Sequence, residues 1–268
     1  MTPPWIVFFF MYACLGYDEP MPCNPFKDSK CVARNPSLGK SIFDSFSHYS
    51  TYFHPYTCSS GVQYDQEGLT LTIRHRNENP SIKSNFYILY GKVEVEILAA
   101  KGQGIVSSFY LQSDDLDEID VMESFGGVRD TWQSNFFVKG NTSTYARGVT
   151  HAVDDIHRYH SYSIEWTPDE IVWFIDGVRV RRVVPTLKEG FPQSPMCIIL
   201  SVWVGGDRSN ERGTIEWAGG FTNYLQAPFE MRARDIYVID YSTGKRYDYG
   251  GSSLRAIGGQ ILGNRNHS

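Results

Sequence analysis

The sequence predicts an all-β fold of two packed antiparallel sheets, and three observations predict it. Short runs of alternating apolar and polar residues recur at close spacing. Clusters of Gly, Asp, Asn, Ser and Pro punctuate them, and no long apolar stripe at helical spacing occurs in the 268 residues. No linker or shift of composition divides the chain, and a sandwich of this length commonly forms a single unit.

Taken in order, residues Tyr17 to Ser50 are rich in Pro, Ser, Asn and Lys and lack periodicity, which predicts an irregular segment along the side of the domain. From Gly68 the pattern changes. Leu69, Leu71 and Ile73 alternate with Thr70, Thr72 and Arg74, as in a strand buried on one face. Extended runs follow at Asn85 to Leu89, Lys92 to Leu98, Ile105 to Gln112, Glu118 to Glu123 and Gln133 to Val138. In the second half, His160, Tyr162, Ile164 and Trp166 alternate with Ser161, Ser163 and Glu165. Asp176-Gly177 is a two-residue hairpin signal between Ile171–Ile175 and Val178–Val184. Pro185 to Pro195 reads as a loop with room for a short helix. Met196 to Val204 is a continuous apolar strand, Gly205 to Gly213 a loop, and Arg232 to Tyr241 closes the sheet. The Gly/Ser-rich tail from Gly250 carries no pattern.

Composition narrows the function. A net charge of −5 gives a nucleic-acid partner no electrostatic support, and there is no polybasic membrane patch. Aromatic residues make up 15% of the chain, enough to line a sugar-binding cleft as well as to fill a core. Trp5 to Leu15 form an apolar run too short for a membrane span, and small residues before the Gly16 boundary suit signal-peptide cleavage. Secretion is therefore expected. Cleavage there leaves Cys23, Cys31, Cys58 and Cys197, an even count that fits an oxidising compartment. Of the three pairings, Cys23 with Cys31 is favoured. Cys58 and Cys197 form either a second bridge or buried thiols. Asn141-Thr142-Ser143 is a glycosylation sequon in a secreted chain.

The chemically loud stretch is Asp117-Glu118-Ile119-Asp120-Val121-Met122-Glu123. Acidic residues are depleted from strands, and charges alternating with apolar side chains put one face in water and one in a core. Glu118 and Asp120, two apart, share a face. Strict alternation would turn Glu123 inward, where an unpaired charge is costly. A β-bulge at Val121 or Met122 would return Glu123 to the face of the other two. Paired carboxylates on one sheet face suit retaining glycoside hydrolysis, whose nucleophile and acid/base lie roughly 5 to 5.5 Å apart. Four regular steps separate Cα atoms by about 13 Å, a gap that two glutamates leaning together largely close. Asp120 between them would hydrogen-bond the nucleophile and raise the pKa of the acid. A solvated acidic edge strand or a metal-binding run is the alternative.

The segment Glu118-Ile119-Asp120-Val121-Met122-Glu123 resembles the signature of glycoside hydrolase family 16, which reads E-[ILV]-D-x-E or, with one inserted residue, E-[ILV]-D-x-x-E. Its flanks resemble the Crh family of fungal cell-wall transglycosylases: Asn85-Phe86-Tyr87-Ile88 with Gly91-Lys92-Val93-Glu94, and Ile105 through Glu118. Lys139-Gly140-Asn141-Thr142, Ser163-Ile164-Glu165-Trp166, Trp203-Val204-Gly205-Gly206-Asp207 and Gly213 through Gly220 also match, as does the Cys23-Asn24-Pro25 to Cys31 loop. Two departures stand out: Met122 is inserted, and Ser124-Phe125 replaces a Trp that many Crh sequences carry.

The resemblance implies a β-jelly-roll sandwich of the concanavalin A-like type. It also implies an enzyme that cleaves chitin and transfers the new reducing end to β-glucan, with no cofactor and no metal. Carried over by motif, Glu118 is the nucleophile, Asp120 its assistant and Glu123 the general acid/base. Trp203 and Trp217 are candidate acceptor platforms, with core packing as the alternative for both. Asn135 and Phe137 match sugar-contacting positions, the second often Tyr in the family. Lys83, Tyr145 and Arg147 are weaker candidates for the cleft, and His160 is not assigned to catalysis. The expected organisation is a signal peptide over 1–16 and a disulfide-stapled segment over 17–50. The catalytic jelly roll spans 51–250 and a tail 251–268. With no Ser/Thr-rich stretch or hydrophobic tail, no membrane anchor is expected. The protein is expected to act as a monomer, extracellular or in the cell wall. An endo-β-1,3(4)-glucanase and a non-catalytic carbohydrate-binding jelly roll are the competing readings.

Overall fold

The computed structural model describes residues 23–25, 27–28, 30–31, 33–143, 146–186, 188, 190–250 and 253–257. The expected signal segment and Tyr145 lie outside them. The first strands are β1 (Arg34–Pro36), β2 (Ser41–Asp44), β3 (Phe53–Thr57), β4 (Val62–Asp65), β5 (Gly68–Ile73) and β6 (Ser81–Ser84). Next come β7 (Gly91–Leu98), β8 (Ile105–Gln112), β9 (Glu118–Phe125), β10 (Thr131–Phe137), β11 (Val149–Ala152) and β12 (His160–Trp166). The chain continues through β13 (Ile171–Ile175), β14 (Val178–Val183), β15 (Cys197–Val204), helix α1 (Arg212–Trp217), β16 (Phe229–Asp240), β17 (Arg246–Gly250) and β18 (Ser253–Ile257).

Two sheets make the sandwich. Seven strands run in the order β11-β10-β9-β8-β15-β6-β3, and the facing sheet runs β14-β13-β12-β7-β16-β5-β4, with β2 also paired to β16. Neighbouring strands are antiparallel throughout. The half-buried pattern read at Leu69–Arg74 does not hold, because β5 lies between β4 and β16 with Thr70 and Thr72 buried as well; burial alternates instead on β7, where Val93, Val95 and Ile97 are buried while Lys92, Glu94 and Glu96 reach solvent. On β15 the continuous apolar run sits between β8 and β6 and is buried on nearly every position. Between the sheets lie the fully buried rings of Trp132, Trp166, Trp173 and Tyr162, each removing a large apolar area from water.

The structure corrects several elements. Asn85 to Leu89 is not a strand but the crossing from β6 to β7 between the sheets, held by isolated bridges at Tyr87 and Ile88. Its apolar run is buried because the crossing passes through the core. The segment expected to be irregular contributes β1 and β2, and the tail contributes β18, which joins β1 and β17 in a three-stranded sheet. The short helix falls at Arg212–Trp217, and no helix occupies the described residues of 185–195. Cys23 and Cys31 are bonded, with an S–S distance of 2.00 Å. Cys197 is a free, buried thiol, so it does not pair with Cys58. Among the described residues, no helix is long and apolar enough to cross a membrane.

Candidate active site

Register places the acidic run on the face of the seven-stranded sheet that points away from the sandwich core. Gln112 on β8, Glu118 on β9 and Phe137 on β10 lie in one row across the strands. The next row holds Lys83, Ile199, Tyr110, Asp120 and Asn135. A third holds Ser201, Ser108, Glu123, Gln133 and Thr150. Beyond it stand Trp203, Val106 and Phe125.

The third row exists because β9 carries a bulge. Against β8, Asp120 pairs with Tyr110 but Met122 with Phe109, so Val121 is extra. Against β10, three steps from Asp120 to Glu123 face two steps from Asn135 to Gln133. Val121 and Met122 therefore both enter the core, fully buried, and Glu123 regains the phase of Glu118 and Asp120. The fourth acid of the run is not part of this group. Asp117 is buried and clasped by Lys139 Nζ at 2.8 Å, Lys139 N at 2.9 Å and Gln193 N at 2.8 Å, tying together three loops.

Burial and mutual repulsion separate the carboxyls. Glu123 is pushed up to about 8, first by loss of water and then by the charge of Glu118. Asp120 is raised well above the usual carboxylate range by burial, then by Glu118 and Glu123, with Arg181 drawing it back. Glu118 is also raised by burial, but hydrogen bonds from Gln112 and Asp120 oppose the shift. Gln112 Nε2 donates to Glu118 Oε2 at 2.5 Å. Asp120 is thus driven toward its protonated form beside Glu118, and Glu123 holds its proton at neutral pH. Among the described residues, no cluster of three or more His, Cys, Asp or Glu is set to hold a metal.

The remaining candidates divide. Asn135 and Phe137 share the face of the acids. Lys83 lies in the Asp120 row three strands away, about 14 Å by strand spacing. Its ammonium sits 4.8 Å from the Tyr56 ring centroid. Trp217 projects from α1, donates from Nε1 to Gln133 Oε1 at 3.1 Å and meets Phe125 edge-on at 4.7 Å. Trp203 stacks beneath it at 5.9 Å, bonds Ser108 Oγ at 3.2 Å and is only 8% exposed. The ring open to a ligand is thus Trp217, with Trp203 as its backing. Arg147, 5% exposed, packs on the Phe136 and Phe137 rings and donates to Asn141 O at 2.8 Å, so it supports Phe137 from within. His160 lies in the facing sheet, bonded to Asp176. Asn141 is exposed.

Sequence reasoning missed Tyr110, Gln112 and Gln133. Strand alternation from Ser108, and from Asn135 and Phe137, is the signal that finds them.

The profile of Glycosyl hydrolases family 16 matches residues 49–219. Congo red hypersensitive protein 1 of Saccharomyces cerevisiae is 49% identical over 247 residues, covering 90% of this chain and 48% of that protein. Crh-like protein CRH11 of Candida albicans is 48% identical over 248 residues, covering 90% of this chain and 54% of its own length. The chain thus spans about half the length of these curated relatives. A solved structure of Crh5 transglycosylase in complex with NAG superposes with a TM-score of 0.82 at 36% identity, covering 87% of this chain and 99% of that one. Bacillus licheniformis beta-glucanase, 24% identical over 76% of this chain and the whole of its own, shares the fold with a TM-score of 0.63. The architecture is the β-jelly-roll sandwich. With its profile match, its Crh-like relatives and its strand of three carboxylates, the chain belongs to glycosyl hydrolases family 16, among the Crh-like proteins of that family.

Proposed function

We propose that the chain is a secreted retaining transglycosylase that cleaves chitin and transfers the freed end to β-glucan, cross-linking a fungal cell wall. The observation that carries this reading is the bulge, which puts Glu123 on the same face as Glu118 and Asp120 in a chain similar to the Crh5 transglycosylase. Glu118 attacks the anomeric carbon while Glu123 gives its proton to the departing oxygen, and a glycosyl ester forms on Glu118. Asp120, protonated, donates a hydrogen bond that keeps Glu118 ionised until attack.

Esterification of Glu118 removes the negative charge that helps hold the Glu123 proton. The Glu123 pKa then falls, so the carboxyl that acted as acid is ionised and ready to take a proton from the acceptor hydroxyl. Transfer requires a sugar rather than water at that point. Trp217, anchored by Gln133 in the Glu123 row, offers a ring against which an acceptor pyranose can lie. Asn141 is the site proposed for N-glycosylation. Hydrolysis of β-glucan is the second reading, favoured by the inserted residue at Met122.

Incubation of the protein with chitin oligomers and labelled laminari-oligosaccharides tests the proposal. Labelled hybrid products, absent with Glu118→Gln, are expected. Release of reducing ends from glucan alone selects the hydrolase, and activity unchanged in Glu118→Gln overturns both.

A further inference from the structure

On the core side of β9 and β10, two side chains of the opposite sheet reach the bulge. Ser134 stands opposite the extra residue and has no register partner on β9. Its carbonyl accepts from Arg181 Nη1 at 2.8 Å, and the same nitrogen donates to Ser134 Oγ at 2.8 Å. The Asp120 carbonyl, on the other flank of the bulge, accepts from Trp173 Nε1 at 3.0 Å. Trp173 and Arg181 are themselves cross-strand partners, with the guanidinium 4.5 Å from the ring centroid.

Arg181 reaches this position through a second bulge. Arg181 pairs with Trp173 but Arg179 with Phe174, so Val180 is extra. Strict alternation from exposed Arg179 would turn Arg181 to solvent. The extra residue instead sends Val180 and Arg181 inward together, as Val121 and Met122 enter from the other sheet. Two irregularities thus face each other across the core. Arg181 also bonds Arg147 O at 2.6 Å, beside the packing that backs Phe137. Ser134 Oγ, which accepts from Arg181, keeps its own proton to offer to His151 Nε2 at 2.8 Å, a geometry that suits a neutral imidazole. The depression of His151 to about 4, by burial and then by Arg181, agrees with that assignment.

We propose that Arg181 and Trp173 are positioning residues for the reaction: by capping the Ser134 and Asp120 carbonyls they lock the bulge and so hold Glu123 in phase with Glu118 and Asp120. The inference rests on the reading of these three carboxylates as the reacting groups. Neither residue touches substrate. Their effect passes through the strand backbone, where one unmade hydrogen bond in a buried site is costly and a small displacement of the acid slows proton transfer.

The test compares two donors in wild type, Trp173→Phe, Arg181→Met and Arg181→Lys. One donor is a chitin oligosaccharide, whose leaving alcohol needs a proton. The other is the corresponding dinitrophenyl glycoside, whose phenolate leaves without one. Trp173→Phe and Arg181→Met are expected to lower kcat on the oligosaccharide by about 10- to 100-fold, with KM little changed, while the pre-steady-state rate of dinitrophenolate release, which reports the first step alone, stays within about threefold of wild type. Arg181→Lys, which keeps a charged donor toward Ser134, is expected to recover part of the loss. Variants that lose both donors by one common factor, or neither, overturn the proposal while leaving the carboxylate reading intact. A wild-type chain inert toward both donors overturns the carboxylate reading and the clamp with it. Trp173→Phe keeps most of the buried ring, so the comparison does not depend on Arg181→Met folding well.

Discussion

In the proposed mechanism Glu123 holds a proton when the donor bond breaks and surrenders it once Glu118 is esterified, and its surroundings favour both conditions. Loss of water and the Glu118 charge push it up to about 8 from an ordinary 4.5. Activity on chitin oligosaccharides is therefore expected to fall on an alkaline limb near pH 8. The same shift has a cost in stability. Between pH 4.5 and 8 the folded chain binds more protons at Glu123 than the unfolded chain, so its contribution is lost as pH rises through that window. Glu123→Gln removes the titration. It is expected to cut kcat on the oligosaccharide by about 10²- to 10⁴-fold while raising Tm, with a gain that grows toward pH 8. His151 acts with the opposite sign. Depressed from 6.5 to about 4, it adds stability that is lost as pH falls through that range. Thermal unfolding of the pair between pH 6.5 and 8 isolates Glu123. A gain that shrinks with rising pH would contradict its assignment.

At the scale of elements, the bulge on β9 is the feature on which the site depends, and it was legible because strict alternation would have buried Glu123. The cost of burying an unpaired charge is enough to demand the bulge. The strands β7 and β12 were legible for a related reason, each sending an alternating row of apolar side chains into the core. Arg181 was not. The sequence Val178-Arg179-Val180-Arg181-Arg182-Val183 reads as a surface strand, and only the facing bulge makes an inward arginine useful. Deleting Met122 tests the geometry. The shortened strand, Glu118-Ile119-Asp120-Val121 followed directly by Glu123, alternates regularly and still turns all three carboxylates outward. Activity on the dinitrophenyl donor is expected within about tenfold of wild type, with a stability loss of about 2–5 kcal/mol from the vacated core volume. Complete loss of activity in a folded deletion variant would show that the phase of Glu123 is not set by counting along the strand.

The sandwich supplies the platform beneath the site, and strands from the two ends of the described chain pair in a small separate sheet. In the small sheet, β1 and β18 flank β17, whose Tyr247 is fully buried. The Tyr247 hydroxyl accepts from Leu89 N at 3.1 Å and from Ser37 Oγ at 3.2 Å, joining segments that are distant in sequence. Strands of three to five residues that depend on such remote partners are too short to carry a local pattern, which explains why β1, β2 and β18 were not legible while the central strands were. Trp203 and Arg147 illustrate the same limit at the site. Their residue types suit sugar contact, but Trp217 covers the first and the Phe136 and Phe137 rings occupy the second.

The claim that joins these scales is that Glu118 becomes covalently glycosylated while Glu123 manages the proton. Reaction of Glu123→Gln with the dinitrophenyl chitin donor isolates that step, because departure needs no acid and the second step lacks its base. Mass spectrometry of the acid-quenched protein is predicted to find one glycosyl adduct on the peptide bearing Glu118. Turnover of the donor with no adduct, or with the sugar on another residue, would contradict the account.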